Sequence, residues 1–215
     1  MKTQNQKLYK PLVYTYKLQV YTMESITKAE IKAVLTILKS PEIEYNANNL
    51  AKAINLTSMG TLKILKRLEN EEILKSRKVG KANIYKININ PYSTKYLSTL
   101  LERQANHQNP KIKRWITELK PLKANLIILF GSILIKPNPN DIDVLLITSQ
   151  KDFSNLKKQI KEINQLNIKK IHPIYQTKED LINNIKKEHP PILQAIKGII
   201  VKGEEEFIKI YNDTC

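Results

Sequence analysis

Two short apolar runs, joined by a polar connection that contains prolines, lie between Leu126 and Thr148 and constrain the fold of this chain more than any other feature. The first run covers residues 126–130, and the second lies within residues 142–147. Apolar runs of this length that are bounded by turn residues are typical of buried β-strands. We therefore predict a strand at each of these two places.

Small and acidic residues stand where these two strands end and begin: Gly131 and Ser132, then Asp141 and Asp143. Residues i and i+2 of a strand point to the same face, so the two carboxylates project together. Neighbouring carboxylates repel each other unless a cation lies between them, and Mg²⁺ is an oxygen-seeking ion that also accepts phosphate ligands. Glycine permits close approach of the backbone, and N–H groups with a Ser hydroxyl can bind phosphate oxygens. These residues predict a site for Mg²⁺ and a nucleoside triphosphate.

The pattern G-S-x8-D-x-D between two apolar strands resembles the nucleotidyltransferase superfamily, whose prototype fold is that of DNA polymerase beta, and above all its minimal nucleotidyltransferase members. The resemblance implies that Asp141 and Asp143 bind the metal and are catalytic. It also implies that Gly131 and Ser132 bind the phosphates. The loop after Ser132 lacks the Arg and Gly that active members often carry there, and Lys136 is its one cation and the further candidate for phosphate binding. Active members hold a third carboxylate on the next strand, but residues 170–176 contain no Asp or Glu. Enzymatic activity therefore stays open.

Histidine is the nearest polar substitute for that carboxylate, since His172 lies in the same segment. The three histidines, His107, His172 and His189, are nevertheless scattered and lack the spacing of a metal site. We therefore predict none of them as a metal ligand.

Residues 25–90 predict three helices followed by a β-hairpin. Thr27 is a candidate N-cap with Glu30 three residues later, which is the spacing of a capping box. Apolar positions in the helices recur at i, i+3, i+4 and i+7. Two alternating segments flank Gly80 and predict a hairpin with a glycine turn. Residues 75–86 of this hairpin hold five basic side chains and no acidic one.

This order of elements, with NLAKAINLTSMGTLKILKRLENEEIL at its centre, resembles the winged helix-turn-helix domain of small prokaryotic repressors, such as the multiple-antibiotic-resistance and arsenic-resistance families. The resemblance implies that the third helix enters the major groove of DNA and that the hairpin lies against the backbone or minor groove. The predicted DNA contacts are exposed side chains of the third helix and the hairpin: Ser58, Thr61, Lys63, Lys66, Arg67, Lys75, Arg77, Lys78 and Lys81.

The charge balance agrees with a polyanionic partner. The 215 residues contain 36 Lys and Arg against 20 Asp and Glu, a formal net charge of +16. A basic surface that is simply solvated is the alternative reading of this composition. The single cysteine, Cys215, excludes an internal disulfide, and no apolar run approaches the length of a membrane span. We expect no membrane association and a cytoplasmic location.

The predicted fold class is α+β, with a winged helix-turn-helix domain followed by a nucleotidyltransferase-like mixed β-sheet with flanking helices. The predicted division is an extension with a strand (1–24), the winged helix-turn-helix domain (25–90), a helical linker (91–120), the nucleotidyltransferase-like domain (121–206) and a C-terminal tail (207–215).

Three functions fit this reading. The first is a regulator of transcription that binds double-stranded DNA and whose second domain binds magnesium and a nucleoside triphosphate. The second is an active nucleotidyltransferase that transfers a nucleotidyl group to RNA, a small molecule or a toxin-like protein partner. The third is a nucleotide sensor without chemistry. A homodimer is left open, because winged-helix repressors commonly dimerise.

Overall fold

The computed structural model describes residues 26–214 of the chain. These residues form a mixed α+β structure, as the sequence predicted for the fold class. The predicted strand in the N-terminal extension lies outside the described residues. No helix in the described part is long and apolar enough to cross a membrane.

The first half contains three helices followed by a hairpin. The elements are α1 (Lys28–Leu38), α2 (Ala47–Ile54), α3 (Ser58–Asn70), β1 (Leu74–Val79) and β2 (Ala82–Ile87). Thr27 and Glu30 form the predicted capping box, in which the Thr27 N–H donates to Glu30 Oε2 at 2.7 Å. Gly80 has a φ of +59° in the hairpin turn, a conformation that glycine adopts without steric cost. The Tyr85 N–H donates to the Tyr45 carbonyl at 2.8 Å and holds β2 against the loop before α2.

Two helices follow the hairpin, namely α4 (Pro91–Asn106) and α5 (Pro110–Leu119). Each begins with proline after an asparagine N-cap, which is a favourable start because the first helical N–H needs no partner. Along one side of α4, Leu97, Leu100 and Leu101 are fully buried.

The second half is organised by a four-stranded sheet with the order β5-β4-β3-β6. The strands are β3 (Leu126–Phe130), β4 (Ile142–Ile147), β5 (Ile171–Gln176) and β6 (Ile199–Lys202). Strand β3 is antiparallel to both β4 and β6, whereas β4 and β5 are parallel. The predictions for β3 and β4 are confirmed at both ends.

Four helices complete this half: α6 (Gln150–Leu166), α7 (Lys178–Lys186), α8 (Pro190–Ile196) and α9 (Glu204–Thr214). Ser149 is the N-cap of α6, and its Oγ accepts the Asp152 N–H at 3.3 Å. The predicted C-terminal tail differs from the structure, because α9 occupies those residues. Phe207, Ile208, Ile210 and Tyr211 are buried along it.

Both faces of the sheet are covered, which explains why its strands have continuous apolar sequences. Alternate residues of β3 enter different clusters of buried side chains, with Ile128 in one and Ile127 in the other. The second cluster also contains Trp115 of α5 and Leu156 of α6.

The first cluster continues into the N-terminal half. It includes side chains from elements along the whole described chain: Leu38 of α1, Leu65 of α3, Tyr85 of β2, Leu100 of α4, Ile128 of β3 and Phe207 of α9. The Ile87 N–H donates to Tyr211 Oη at 3.3 Å, so the hairpin is bonded to the last helix. Helices α1–α3 and the hairpin, together called the hairpin unit, therefore share one hydrophobic core with the sheet.

Lys39, at the C-cap of α1, is bonded to the second half of the chain. It is only 4 % exposed, and its Nζ donates to the Gly198 carbonyl and to Gln104 Oε1. Gly198 in turn lies against the end of β3, where a Cβ at Gly198 would be 2.8 Å from Phe130 Cβ. Phe130 directly precedes Gly131, so this junction lies close behind the predicted phosphate-binding turn.

Candidate functional site

Two aspartates and one histidine lie together at adjacent strand ends. Asp143 of β4 is paired with Phe130 of β3 on one side and with His172 of β5 on the other. The His172 Nδ1 atom is 3.6 Å from Asp143 Oδ1. One ligand atom each from Asp141, Asp143 and His172 lies within 4.8 Å of the other two. The structure thus brings together the two predicted carboxylates and adds an imidazole.

Gly131 is required at this site for two reasons. Its φ of +78° lies in the left-handed region that side chains with a Cβ rarely adopt. A Cβ at this position would also lie 2.0 Å from Asp143 Oδ2 and 2.8 Å from its Cγ, because the carboxyl group packs directly on the glycine. The absence of a side chain therefore lets the turn after β3 and the carboxylate of β4 approach each other.

The predicted phosphate-binding residues begin in the turn of 3₁₀ helix that follows β3. Gly131 and Ser132 start this turn, and the Ser132 carbonyl accepts the Lys136 N–H at 2.8 Å. Gly131 is thereby placed against Asp143, whereas Lys136 is exposed at the far end of the turn. Two lysines from other elements donate hydrogen bonds to the backbone of the polar connection that follows. Lys111 Nζ donates to the Lys136 carbonyl at 2.6 Å, and Lys169 Nζ donates to the Pro139 carbonyl. Lys111 and Lys169 add positive charge beside this connection.

His172 is the residue that sequence reasoning passed over as a ligand. The distance of 29 residues between Asp143 and His172 gives no sign of their contact, because it depends on the parallel pairing of β4 with β5. One signal was present in the sequence, namely that His172 lies in the segment where the predicted resemblance to nucleotidyltransferases called for a third carboxylate. Lys111 and Lys169 carried no such signal.

The donor set fits a divalent cation. Carboxylate oxygens suit Mg²⁺ and Mn²⁺, whereas imidazole nitrogen suits transition metals and is rarely a ligand of Mg²⁺. Asp141 and Asp143 alone fit the predicted Mg²⁺, and the addition of His172 moves the preference toward Mn²⁺ or Zn²⁺. Because Gly131 has no side chain, the carboxylate of Asp143 lies directly against the backbone of the turn after β3.

The basic surface lies on the hairpin and on one side of α3. Lys75, Lys78 and Lys81 are exposed on the hairpin, and Ser58, Lys63 and Lys66 are exposed on α3. Lys75 lies directly opposite Lys86 in the register of the two strands. Like charges in this arrangement destabilise a sheet unless an anion compensates them.

Three predicted contact residues have other surroundings. Thr61 is fully buried, so its predicted exposure is wrong, because the side of α3 that bears it faces the core. Arg67 forms ion pairs with Glu30 of α1 at 2.5 Å and with Glu71 at 3.4 Å, which hold its guanidinium between α1 and α3. Arg77 remains exposed but pairs with Glu44, which neutralises part of the hairpin charge.

A partly buried tyrosine, Tyr96 of α4, lies near the same acidic groups. Burial, together with the nearby carboxylates of Glu30 and Glu71, raises the pKa of Tyr96 to about 12. Glu30 is buried against Arg67 and Glu71 is also paired with Arg67, whereas Lys63 and Lys66 face outward. The described surface of α3 and the hairpin is therefore predominantly basic.

Comparison of the chain with protein-family models and with curated proteins found no match in either case.

Proposed function

We propose that this chain is a DNA-binding protein, a regulator of transcription, whose first half acts as a winged helix-turn-helix domain and whose second half binds a metal–nucleoside triphosphate. The observation that carries the proposal is the hairpin. Residues 75–86 carry basic side chains without a carboxylate, and the side chains of Lys75, Lys78 and Lys81 have no ion-pair partner among residues 26–214.

The charges of the hairpin suit the phosphates of a duplex. Each lysine that neutralises a phosphate releases condensed counterions, so binding weakens as the salt concentration rises. On α3, Lys63 and Lys66 are three residues apart and therefore neighbours on the helix surface. Ser58 is exposed at the start of the same helix. These side chains would determine register and sequence preference, while the hairpin would supply affinity.

Fluorescence anisotropy with a labelled duplex of about 30 base pairs tests DNA binding. We expect the Lys75→Gln/Lys78→Gln/Lys81→Gln variant to bind at least tenfold more weakly at low salt. The slope of log K against log salt should fall by about 0.9 for each phosphate that the variant no longer neutralises. The matched control is Lys113→Gln/Lys161→Gln/Lys209→Gln, which removes the same charge from exposed positions elsewhere. Equal weakening in the two triple variants would show only a general charge effect and would reject the proposal.

The second candidate function is nucleotide binding or transfer at the cluster of Asp141, Asp143 and His172. The observation that favours it is the convergence of these three donors beside Gly131. When bound, a divalent cation would neutralise charge on the phosphates of the nucleotide. Asp141 and Asp143 would hold the cation, and the N–H groups of Gly131 and Ser132 would orient the phosphates, with Lys136 at the edge of the site.

His172 distinguishes binding from transfer. Transfer requires a base that accepts the proton of the attacking hydroxyl, which the third carboxylate supplies in the related enzymes. An imidazole nitrogen that binds the cation has no lone pair left to accept that proton. The cluster therefore supports a nucleotide-binding or sensing role more strongly than catalysis. Transfer stays the alternative in which His172 is released from the metal and serves as the base.

Calorimetry and a labelling assay separate these roles. We expect the wild type to bind ATP in the presence of Mg²⁺ or Mn²⁺. We expect the Asp141→Asn/Asp143→Asn variant not to bind it. The control is Glu162→Gln/Glu205→Gln, which alters two exposed carboxylates elsewhere. Metal-dependent binding without label on RNA, co-purified protein or the chain itself would identify a sensor. Label that disappears in the aspartate variant would identify a transferase. No metal-dependent binding at all would reject both.

A further inference from the structure

A groove of about 590 Å³ lies between α1 and α4, and its described lining contains no residue of the cluster of Asp141, Asp143 and His172. Its lining is strongly basic, with five cationic side chains and a histidine: Lys28, Lys32, Lys39, Arg103, Lys197 and His107. Among residues 26–214, no Asp or Glu belongs to this lining. Ile31 and Leu35 of α1 supply an apolar wall. The groove therefore combines apolar surface with charge of one sign.

Contacts within the protein satisfy some of these cations and not others. Lys32 Nζ donates to the Ile54 carbonyl at 2.8 Å, and Lys197 Nζ is 3.3 Å from Glu42 Oε1. Lys39 is bonded to Gly198 and Gln104 at the base of the groove. The side chains of Lys28 and Arg103 have neither a hydrogen bond nor an ion pair with any described residue. These two charges, one from each helix, are available to a ligand.

We propose that this groove binds a small organic anion, which has an apolar body and a carboxylate, sulfonate or phosphate group. The volume lies within the range of about 300–1,000 Å³ that is typical of ligand sites. The apolar body would lie along Ile31 and Leu35, and the anionic group would pair with Lys28 and Arg103. An anion would offset the mutual repulsion of the cations in the lining, which no carboxylate of the lining offsets.

The environment of Lys39 supports this assignment. Burial lowers the pKa of Lys39 to about 7, so the charged form of this side chain is disfavoured where it lies. An anion within a few ångströms favours the charged form and thereby regains part of this cost. The proposal stands on the groove and its free charges, and it holds whether or not the second half binds a nucleotide.

A small anion is the ligand that both properties of the groove recognise. The groove lies between α1 of the hairpin unit and Lys197, which precedes β6 of the sheet. It therefore lies at the junction of the hairpin unit and the sheet.

The experiment uses the full chain and the fluorescent probe 1-anilinonaphthalene-8-sulfonate, which has an apolar body and one negative charge. Its neutral analogue N-phenyl-1-naphthylamine represents the apolar body alone, and inorganic phosphate represents the anionic group alone. We expect the sulfonate probe to bind one site per chain, at least tenfold more tightly than either part. In Lys28→Gln/Arg103→Gln its affinity should fall about tenfold for each charge removed. Thr36→Trp, which adds bulk at the lining of the groove, should abolish binding.

Controls separate this site from general affinity for the dye. Lys113→Gln/Lys209→Gln removes two charges outside the lining and should bind as the wild type does. Thermal unfolding followed by circular dichroism checks that each variant is folded. Unchanged affinity in Lys28→Gln/Arg103→Gln, equal affinity for the neutral analogue, or several dye molecules per chain would each overturn the proposal. Displacement of the dye by duplex DNA from the wild type would assign the groove to nucleic acid instead.

Discussion

The hairpin and the strand ends of the sheet both suit polyanions, but they achieve it in different ways. The hairpin presents exposed lysines, of which Lys75, Lys78 and Lys81 have no ion-pair partner among residues 26–214. At the sheet, Asp143 is held between Phe130 and His172 by strand pairing and packs directly on Gly131. Anion binding by the hairpin should depend on the number and sign of its charges, whereas binding at the strand ends should depend on the positions of a few atoms.

This difference predicts how each region tolerates change. Single substitutions on the hairpin should alter affinity in proportion to charge and leave the fold intact. A substitution that displaces one atom at the strand ends should remove the function of the site and also destabilise the fold. The two regions share one core, so their stabilities should nevertheless change together when that core is damaged.

The largest effect should follow from Phe207→Ala in α9. Phe207 is 2 % exposed in the cluster that joins the hairpin unit to the sheet, and removal of such a side chain costs about 4 kcal/mol. Hydrogen exchange should accelerate together in β2 and β3. Phe153→Ala is the control, since Phe153 is 37 % exposed and should cost much less. Faster exchange in β3 alone would show that the two regions unfold independently.

Replacement of glycine by alanine compares the two turns directly. Gly131→Ala should cost about 3 kcal/mol, because it combines a left-handed backbone with a collision against the Asp143 carboxyl group. Gly80→Ala has a similar φ but no atom within 4 Å, so it should cost only about 1 kcal/mol. Urea unfolding measures both costs, and Mn²⁺ titration should detect weaker binding only in Gly131→Ala. Equal costs would mean that the contact with Asp143 is unimportant.

At the junction of the two regions, Lys39 should make stability depend on pH. Its pKa is about 7 in the folded chain and near its usual 10.5 when unfolded, so unfolding takes up a proton between these values. Stability should therefore rise with pH across this window, by up to about 1.4 kcal/mol per pH unit, relative to Lys39→Met. Urea unfolding at about pH 7.5 and 8.5 measures the difference. A difference that falls as the pH rises would contradict the burial of Lys39.

The smallest effect on stability belongs to the hairpin. Lys75→Gln removes one of two like charges that face each other across the strands, so it should change the free energy of unfolding by no more than about 0.5 kcal/mol and in the stabilising direction. Lys113→Gln, at an exposed helical position, is the reference. Destabilisation by more than about 1 kcal/mol would show that Lys75 has a packing role.

Local sequence signals predicted the elements well and the contacts between them poorly. The apolar runs of β3 and β4, the capping box at Thr27 and the glycine turn at Gly80 depend on neighbouring residues, and each is found as predicted. The position of His172 beside Asp143 depends on which strands pair, which no local pattern encodes. The burial of Thr61 likewise depends on how α3 is rotated about its axis.

The same reason explains why α9 was predicted as a tail. Its buried residues, Phe207 to Tyr211, recur as in an amphipathic helix, but they follow three glutamates near the end of the chain. What makes the segment part of the core is its contact with elements that are distant in sequence, including β2. Such contacts are a property of the assembled chain and not of a window of residues.

The bond between Ile87 and Tyr211 has a consequence for synthesis on the ribosome. The hairpin unit emerges before α9, which covers part of the apolar surface of that unit. At about 5–20 residues per second, the nascent chain spends several seconds with this surface uncovered. The hairpin unit therefore depends on a later segment for its completion, and chains that terminate before α9 would expose apolar surface to chaperones and proteases.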